Sequence, residues 1–369
     1  MNIPYSCQFI DKEDINSVCK AIKSDWITQG PFVEKFEQSL ANYSGAKYGV
    51  AVSSGTSALH LAYLTIGIKK DDEVIIPANT FVATANMTIA CGAKPVFCDI
   101  RLDTYNIDES KIEKLITKKT KAIVAVHFAG HPCNMREIWR IARRHNLKVV
   151  EDAAHALGSG YENKKIGNSK SNITVFSFHP VKSITTGEGG AVITNNKNYY
   201  EKLIKLRSHG ISKDKQGLNR MDIFGYNYRL TDIQAALGLS QLNKLNSFID
   251  KRTRVAEFHF SNLKQIEQII LPQEMDNVKS AWHLFVIRLK NKAHRIGLRN
   301  YLKDKGISTQ IHYPAVYSHP YYKKNGYKKT NCKNAEIYSS TCLSIPIYPF
   351  LTKKQSLYIA SIIKSYFKT

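Results

Sequence analysis

The stretch Ile173-Thr174-Val175-Phe176-Ser177-Phe178-His179-Pro180-Val181-Lys182-Ser183-Ile184-Thr185-Thr186-Gly187-Glu188-Gly189-Gly190 sets one lysine between two apolar runs. The β-branched and aromatic residues at 173–178 predict a strand, and 191–194 predict a second. The lysine between them falls in a loop of small and hydroxylated residues. Taking an ammonium group out of water disfavours its charged form, so a lysine in such a place tends toward a free amine that can condense with an aldehyde. The alternative is a strand-end lysine that buries its stem and keeps its head in solvent. Lys182 alone does not choose between these readings; the other strand ends do.

Upstream, short β-rich runs alternate with helical spacing: 48–52 then 56–66, 73–76 then 81–90, 95–100 then 109–116, 122–127 then 135–144, and finally 147–150. Such alternation predicts an α/β fold, a mostly parallel sheet with helices on both faces. Ligands of such sheets bind beyond the carboxyl ends of the strands. Before the sheet, helical spacing covers 11–24 and resumes at Pro31, leaving Asp25-Trp26-Ile27-Thr28-Gln29-Gly30 as a loop.

The first strand runs into Ser53-Ser54-Gly55-Thr56-Ser57. Glycine lets backbone approach a ligand, and the N-terminus of the following helix favours an anion, so this stretch is a candidate phosphate cradle; an ordinary Ser/Thr helix cap is the alternative. It matches neither the Walker nor the GxGxxG pattern, which disfavours an ATPase or a dinucleotide-binding dehydrogenase. After the second strand comes Pro77-Ala78-Asn79-Thr80-Phe81, where Phe81 either stacks on a flat ring or packs in the core. The strand at 147–150 runs into Glu151-Asp152-Ala153-Ala154-His155, and a carboxylate at a buried strand end is costly without a cation or strong donor. A protonated pyridine nitrogen meets that need. Asp152, His155, Ser177 and Lys182 thus fall at two buried strand ends. With the cradle, they describe a ligand with an aldehyde, a phosphate, a flat ring and a basic nitrogen, which is pyridoxal 5′-phosphate.

With 369 residues, 43% hydrophobic and 22% charged, the chain is long enough for a large domain over 1–245 and a smaller one over 246–369. No charged-then-apolar leader opens it, and no apolar run reaches the roughly 18 residues of a spanning helix, so a cytoplasmic protein is expected. Seven cysteines with no CxxC pair suggest neither a disulfide framework nor a zinc site. The formal charge of +23 raises the prospect of a nucleic-acid partner. The basic doublets Lys69-Lys70, Lys118-Lys119, Arg143-Arg144, Lys164-Lys165, Lys323-Lys324 and Lys328-Lys329 are scattered, however, and read as solvated surface. A positive field still attracts a diphosphate.

The stretches Ser54-Gly55-Thr56-Ser57-Ala58-Leu59, Thr80-Phe81-Val82-Ala83-Thr84-Ala85-Asn86, Glu151-Asp152-Ala153-Ala154-His155-Ala156-Leu157-Gly158, Phe176-Ser177-Phe178-His179-Pro180-Val181-Lys182 and Asn227-Tyr228-Arg229-Leu230 resemble the DegT/StrS sugar aminotransferases. The likeness runs through nearly the whole chain. It implies fold type I of the pyridoxal phosphate enzymes: a large, mostly parallel seven-stranded sheet domain, a small α+β C-terminal domain and a homodimer with composite active sites. It implies amino transfer from L-glutamate to C4 of a UDP-linked 4-keto-6-deoxy-2-acetamido hexose, the chemistry of pseudaminic acid biosynthesis, with a 3-keto or dTDP-linked sugar as the alternative acceptor. By position, the resemblance implies that Lys182 holds the cofactor covalently, Asp152 its ring nitrogen, and His155 its hydroxyl side. Gly55, Thr56, Ser57 and Ser177 would take the phosphate, with Asn227 reaching it from the partner subunit, and Phe81 would stack on the ring. Arg229 would lie near the amino donor's carboxylate. Tyr5, the loop Asp25-Trp26-Ile27-Thr28 and His312-Tyr313-Pro314-Ala315 would contact the sugar nucleotide, along with Ser177 and Asn227. Ser6-Cys7 departs from the glycine and basic residue of many relatives, which bears on acceptor choice. Dehydratases of the family carry histidine at the lysine position, so Lys182 implies transamination.

Beyond residue 200, helical spacing covers 231–245, a second helical stretch follows to about 260, strands are predicted at 282–289 and 306–312, and helices at 293–303 and 353–367. These form the small domain. Tyr317, His319, Tyr321 and Tyr322 crowd one loop, either an aromatic lid over a nucleotide or a packed surface loop. A non-catalytic protein of this fold would be expected to lack Lys182 or Asp152. A cysteine desulfurase needs a reactive thiol on a mobile loop, for which Cys332 and Cys342 are the candidates.

Overall fold

The computed structural model describes residues 1–327 and 331–368, so the Lys328-Lys329 doublet lies outside the described residues. Among these, a seven-stranded sheet is built from β1 (Tyr48–Val52), β2 (Glu73–Pro77), β3 (Lys94–Cys98), β4 (Thr120–Val126), β5 (Lys148–Asp152), β6 (Ile173–Ser177) and β7 (Gly190–Thr194). Their spatial order is β1-β7-β6-β5-β4-β2-β3. Only β7 runs against its neighbours, pairing antiparallel with both β1 and β6. The other pairings are parallel.

Alternate strand residues feed two separate cores, as burial on both faces of a parallel sheet requires. Val50, Val52, Val74, Ile76, Val124, Val126, Val150, Val175 and Val192 enter one. Ala51, Ile75, Ile123, Ala125, Val149, Phe176, Ala191 and Ile193 enter the other. The helices α1 (Lys12–Ile22), α2 (Pro31–Ser44), α3 (Gly55–Thr65), α4 (Val82–Ala90), α5 (Met135–Arg144) and α6 (Lys197–Arg207) accompany this sheet. Every strand expected from the 48–150 alternation forms, with ends shifted by a few residues. The helix expected over 109–116 is shorter, a turn of α-helix at Glu109–Ile112 followed by a 3-10 turn.

Where two helical stretches were expected after residue 231, one 32-residue helix runs unbroken, α7 (Asp232–Leu263). Thr231 starts it with a reciprocal capping box to Gln234. Asn246 and Ser247 at the expected seam are exposed and leave the helical hydrogen bonding intact. The first half of α7 packs on α1 and α2, and the helix also meets the C-terminal α9 (Lys353–Tyr366), which follows α8 (Lys292–Asp304). A third core gathers Val255, Leu263, Phe285, Ile287, Leu298, Leu302, Leu343, Ile359 and Ile363, with Ile3 from the N-terminus.

The segment 306–312 is not a strand. Its Gly306 has φ 73° and the chain makes only single bridges, Ile307 to Ile3 and Gln310 to Ser344. The small sheet instead pairs Phe285–Leu289 with Cys342–Ile345 and with the two-residue strand Ile269–Ile270. The described basic doublets are all exposed. Among the described residues no helix is long and apolar enough to cross a membrane.

Candidate active site

Four strand ends converge on one cavity of about 430 Å³. At the end of β1, Ser54 caps α3: its Oγ accepts from Ser57 N–H at 3.0 Å while Ser57 Oγ accepts from Ser54 N–H at 2.9 Å. Ala58 N–H bonds back to the Ser54 carbonyl. The N–H groups of Gly55 and Thr56 are the first-turn donors left over, and both residues line the cavity. Gly55 is required here by contact: a Cβ would stand 2.8 Å from the Cβ of Ser177 at the end of β6.

At the end of β2, Phe81 precedes α4, lines the cavity and is 55% exposed, with its ring 5.8 Å from that of Tyr313. One turn into α4, the Thr84 hydroxyl donates to Asp152 Oδ2 at 2.8 Å, and the Ala154 N–H donates to Oδ1 at 3.2 Å. Asp152 ends β5 and is 5% exposed. Burial pushes its carboxyl above the usual range, against the pull of the Thr84 and Ala154 donors and of Lys182. A cationic partner in the cavity would restore the carboxylate.

His155, buried beside it, accepts from the Ala129 N–H through Nδ1 at 3.3 Å. That leaves the ring proton on Nε2, which faces the Tyr313 hydroxyl at 3.2 Å. Burial first, then Lys182, hold His155 neutral, well below the ordinary histidine range. Lys182 lies in the turn after β6, where its N–H bonds to the His179 carbonyl at 2.9 Å. Loss of water around the amine lowers its pKa from 10.5 to about 8, although Asp152 pulls it upward.

The remaining wall comes from the ends of the chain. Tyr5 lies with its ring 5.6 Å from His312, whose Nδ1 meets the Ser344 hydroxyl at 2.8 Å. The Tyr313 N–H reaches Asn79 Oδ1 at 3.2 Å. Of the residues singled out in sequence, Tyr5, Gly55, Thr56, Phe81, Asp152, His155, Ser177, Lys182, His312 and Tyr313 thus share one cavity.

Others do not line it. The Ser57 hydroxyl is engaged in the cap of α3. Pro314 is exposed, and Ala315 is buried in the core. Trp26 and Ile27 are exposed, the Ile27 carbonyl accepts from Asp232 N–H at 2.9 Å, and Thr28 bridges to Thr231. Asn227 bridges to Ser208 and Arg229 to Val52. Asp25 belongs to the same outlying loop. Ser54, Thr80, Thr84, His179, Glu188 and His283 line the cavity without having been singled out as site residues. A hydroxyl one turn into α4 was a readable signal for Thr84; nothing in Trp282-His283-Leu284 marks His283.

Packing bears on two of the alternatives raised by the sequence. Tyr317 and Tyr322 pack against Phe97, at 5.7 and 5.9 Å, and the cluster forms no part of the cavity wall. Cys332 and Cys342 are buried, and burial pushes both thiols up to about 12, the opposite of a reactive thiolate.

Residues 8–364 match the DegT/DnrJ/EryC1/StrS aminotransferase family. The chain belongs to this family. A UDP-4-amino-4,6-dideoxy-N-acetyl-β-L-altrosamine transaminase of Campylobacter jejuni is 40% identical, with 97% of this chain and 95% of that one aligned. A GDP-perosamine synthase of Escherichia coli O157:H7 is 37% identical over 97% of this chain and 95% of that one. Among solved structures, Helicobacter pylori PseC, an aminotransferase of pseudaminic acid biosynthesis, superposes with TM-score 0.96 at 35% identity, covering both chains fully. The PLP form of a Streptococcus pneumoniae sugar aminotransferase, Spr1654, superposes with TM-score 0.95 at 29% identity over 100% of this chain and 99% of that one. This DegT-family chain is a pyridoxal-phosphate-dependent aminotransferase acting on nucleotide sugars. The cavity fits that cofactor: a poised amine, a buried carboxylate short of a cation, a helix mouth narrowed to glycine and an uncovered aromatic ring line it together.

Proposed function

We propose that this aminotransferase moves the amino group of L-glutamate to C4 of a UDP-linked 4-keto-6-deoxy-2-acetamido hexose, giving the UDP-4-amino-4,6-dideoxy sugar used for pseudaminic acid. The observation that carries the reading is the full-length 40% identity to a transaminase named for that sugar. Bound pyridoxal phosphate supplies the electron sink that stabilises a carbanion beside the transferred nitrogen. Lys182 Nζ would anchor the cofactor, and its free amine would take a proton from the donor carbon and deliver one to the acceptor carbon. A pKa of about 8 keeps part of it in the free-amine form near neutrality. Asp152, fixed by Thr84 and Ala154, holds the proton of the ring nitrogen. Gly55 and Thr56 N–H groups with the Ser177 hydroxyl receive the phosphate at the mouth of α3. Phe81 covers one face of the ring. Tyr313, accepting from His155, has its own proton free to donate to an oxygen of the ligand.

The enzyme works as a homodimer in this reading. Asn227, Arg229 and the 25–28 loop, which lie off the cavity of their own chain, serve the cavity of the partner. Trp26, Ile27, Leu218, Met221 and Phe224 are exposed on the same loop and on the segment leading to Asn227, an apolar surface that a second copy would cover. Mass spectrometry of products from a panel of keto sugar nucleotides with L-glutamate tests the acceptor. Amination of the UDP-linked 4-keto sugar is expected, and amination of a 3-keto sugar alone would refute it. The similarity to a GDP-perosamine synthase favours a GDP-linked 4-keto sugar as the second reading.

A further inference from the structure

His283 is a cavity residue with no assigned work. It is 3% exposed, lines the cavity beside Leu284, and its ring centroid lies 4.3 Å from that of His155 at an interplanar angle of 42°. Its Nδ1 is buried with no hydrogen-bond partner. Of the described residues with a side-chain atom buried and unpaired, His283 alone lines the cavity, and at a cavity wall a ligand is one explanation.

The backbone that carries this ring is unusually constrained. Trp282 has φ 46°, a left-handed conformation that a bulky residue keeps only where its surroundings fix it. Arg252, buried in α7, donates from Nη1 to the carbonyl oxygens of Trp282 at 3.4 Å, His283 at 3.3 Å and Ile347 at 3.1 Å. The Trp282 N–H bonds to Ser280 Oγ at 3.1 Å. Gly130 closes the other side: a Cβ there would stand 3.0 Å from the backbone nitrogens of both Trp282 and His283. The peptide is therefore held from several directions, while Nδ1 of the imidazole at its end has no hydrogen-bond partner among the described residues.

Two features identify the ligand group. His283 reaches the cavity from the C-terminal half of the chain, with His312 and Tyr313, and not from the strand ends that carry Asp152 and Lys182. Its charged and titratable neighbours are His155, Lys182, Arg252 and His312; burial and all four hold the ring neutral. A neutral imidazole suits a hydroxyl or carbonyl oxygen, whereas a carboxylate or diphosphate calls for a cation. We propose that His283 is a specificity-determining residue that hydrogen-bonds a hydroxyl or carbonyl oxygen on the hexose ring of the acceptor. The inference rests on the acceptor being a keto sugar nucleotide.

The test uses holoenzyme and compares His283→Phe, which keeps a planar ring without nitrogen, with His283→Gln, which keeps an amide donor. Wild-type enzyme is first run against the panel of keto sugar nucleotides. Should none be aminated, the functional reading fails and this inference fails with it. With an acceptor in hand, His283→Phe is expected to lose about 10- to 100-fold in kcat/KM for that acceptor. The KM for L-glutamate and the rate of the glutamate half-reaction should stay within about twofold, and His283→Gln should recover part of the loss. Calorimetry with the amino-sugar nucleotide product should show a matching rise in Kd, with no dependence on turnover. Unchanged acceptor kinetics in His283→Phe, or an equal loss in the glutamate half-reaction, would overturn the proposal while leaving the functional reading in place. If the Phe variant does not fold, full wild-type acceptor affinity in His283→Ala would overturn it equally.

Discussion

Thr84 and Asp152 are joined across the floor of the cavity: the hydroxyl one turn into α4 donates at 2.8 Å to the carboxylate that ends β5. Thr80 meets the same hydroxyl at 2.9 Å, so its direction is fixed by a short chain of side chains. Because burial works against the Asp152 carboxylate, each donor to it counts. Thr84→Val keeps the shape and deletes the donor. A hydrogen bond to a charged group contributes about 1.5–3 kcal/mol. Pyridoxal phosphate, titrated by its absorbance, should therefore bind the variant roughly tenfold or more weakly. Thr88→Val, whose hydroxyl bonds the Thr84 carbonyl and lies beside Tyr63 but makes no bond to Asp152, serves as the control and should leave cofactor affinity unchanged.

Lys182 makes a prediction through pH. Its pKa falls from 10.5 to about 8 in the folded chain, chiefly by loss of water. Below pH 8 both folded and unfolded chains hold the proton. Between about 8 and 10.5 the folded chain gives it up while the unfolded chain keeps it, so this group makes stability rise with pH in that window. In the cofactor-free protein, the Tm of wild type should rise relative to that of Lys182→Met between pH 7 and 10. A constant Tm difference would remove the lowered pKa. Lys182→Ala should have no turnover, and borohydride should lock the cofactor onto the peptide containing residue 182; labelling of another lysine would sink the assignment.

The main sheet was legible because its signal is local. Each of β1 to β4 is a short β-rich run followed by helical spacing, β5 closes the series, and chemistry gathers at strand ends, so Gly55, Asp152 and Lys182 are legible in the sequence. The segment 306–312 failed for the opposite reason. Its apolar residues pack through isolated bridges to Ile3 and Ser344, partners hundreds or dozens of residues away that no local period announces. The long α7 reads as two stretches because its apolar residues change partners, Leu242, Leu245 and Ile249 packing in the second core and Val255, Ala256 and Leu263 in the third, with no helix breaker between. His283 was invisible because its importance lies in an unpaired ring nitrogen, which only packing shows.

Gly55 tests the narrowing at the mouth of α3. A Cβ at this position would stand 2.8 Å from Ser177 Cβ and 3.1 Å from its Oγ. Those contacts are closer than carbon atoms tolerate, so Gly55→Ala must push the β6 end and the α3 N-terminus apart. The phosphate donors separate with them. Phosphate-bearing ligands should suffer most: affinity for pyridoxal phosphate is expected to fall by about tenfold or more, while pyridoxal, which lacks the phosphate, should lose little. Equal losses for the two would place the phosphate elsewhere.

The last prediction concerns assembly. Asn227 and Lys182 lie in one chain, yet Lys182 lines the cavity while Asn227 is tied by a bridge to Ser208, away from it. If Asn227 serves a phosphate, it serves the partner's. A dimer mixed from Lys182→Ala and Asn227→Ala chains then contains one cavity with both lesions and one with neither. Homodimers of Lys182→Ala should be inactive and those of Asn227→Ala impaired. After subunit exchange the mixture should regain activity, approaching half the wild-type value per mixed dimer. Sites built within one chain predict another result: each mixed dimer would carry one dead and one impaired cavity, and activity would never exceed that of Asn227→Ala alone. Light scattering of the wild type should return twice the chain mass, and an aspartate at Trp26 or Phe224, both exposed in the single chain, should shift it toward the monomer. A fully active monomer would end the composite-site reading and return Asn227 to a structural role.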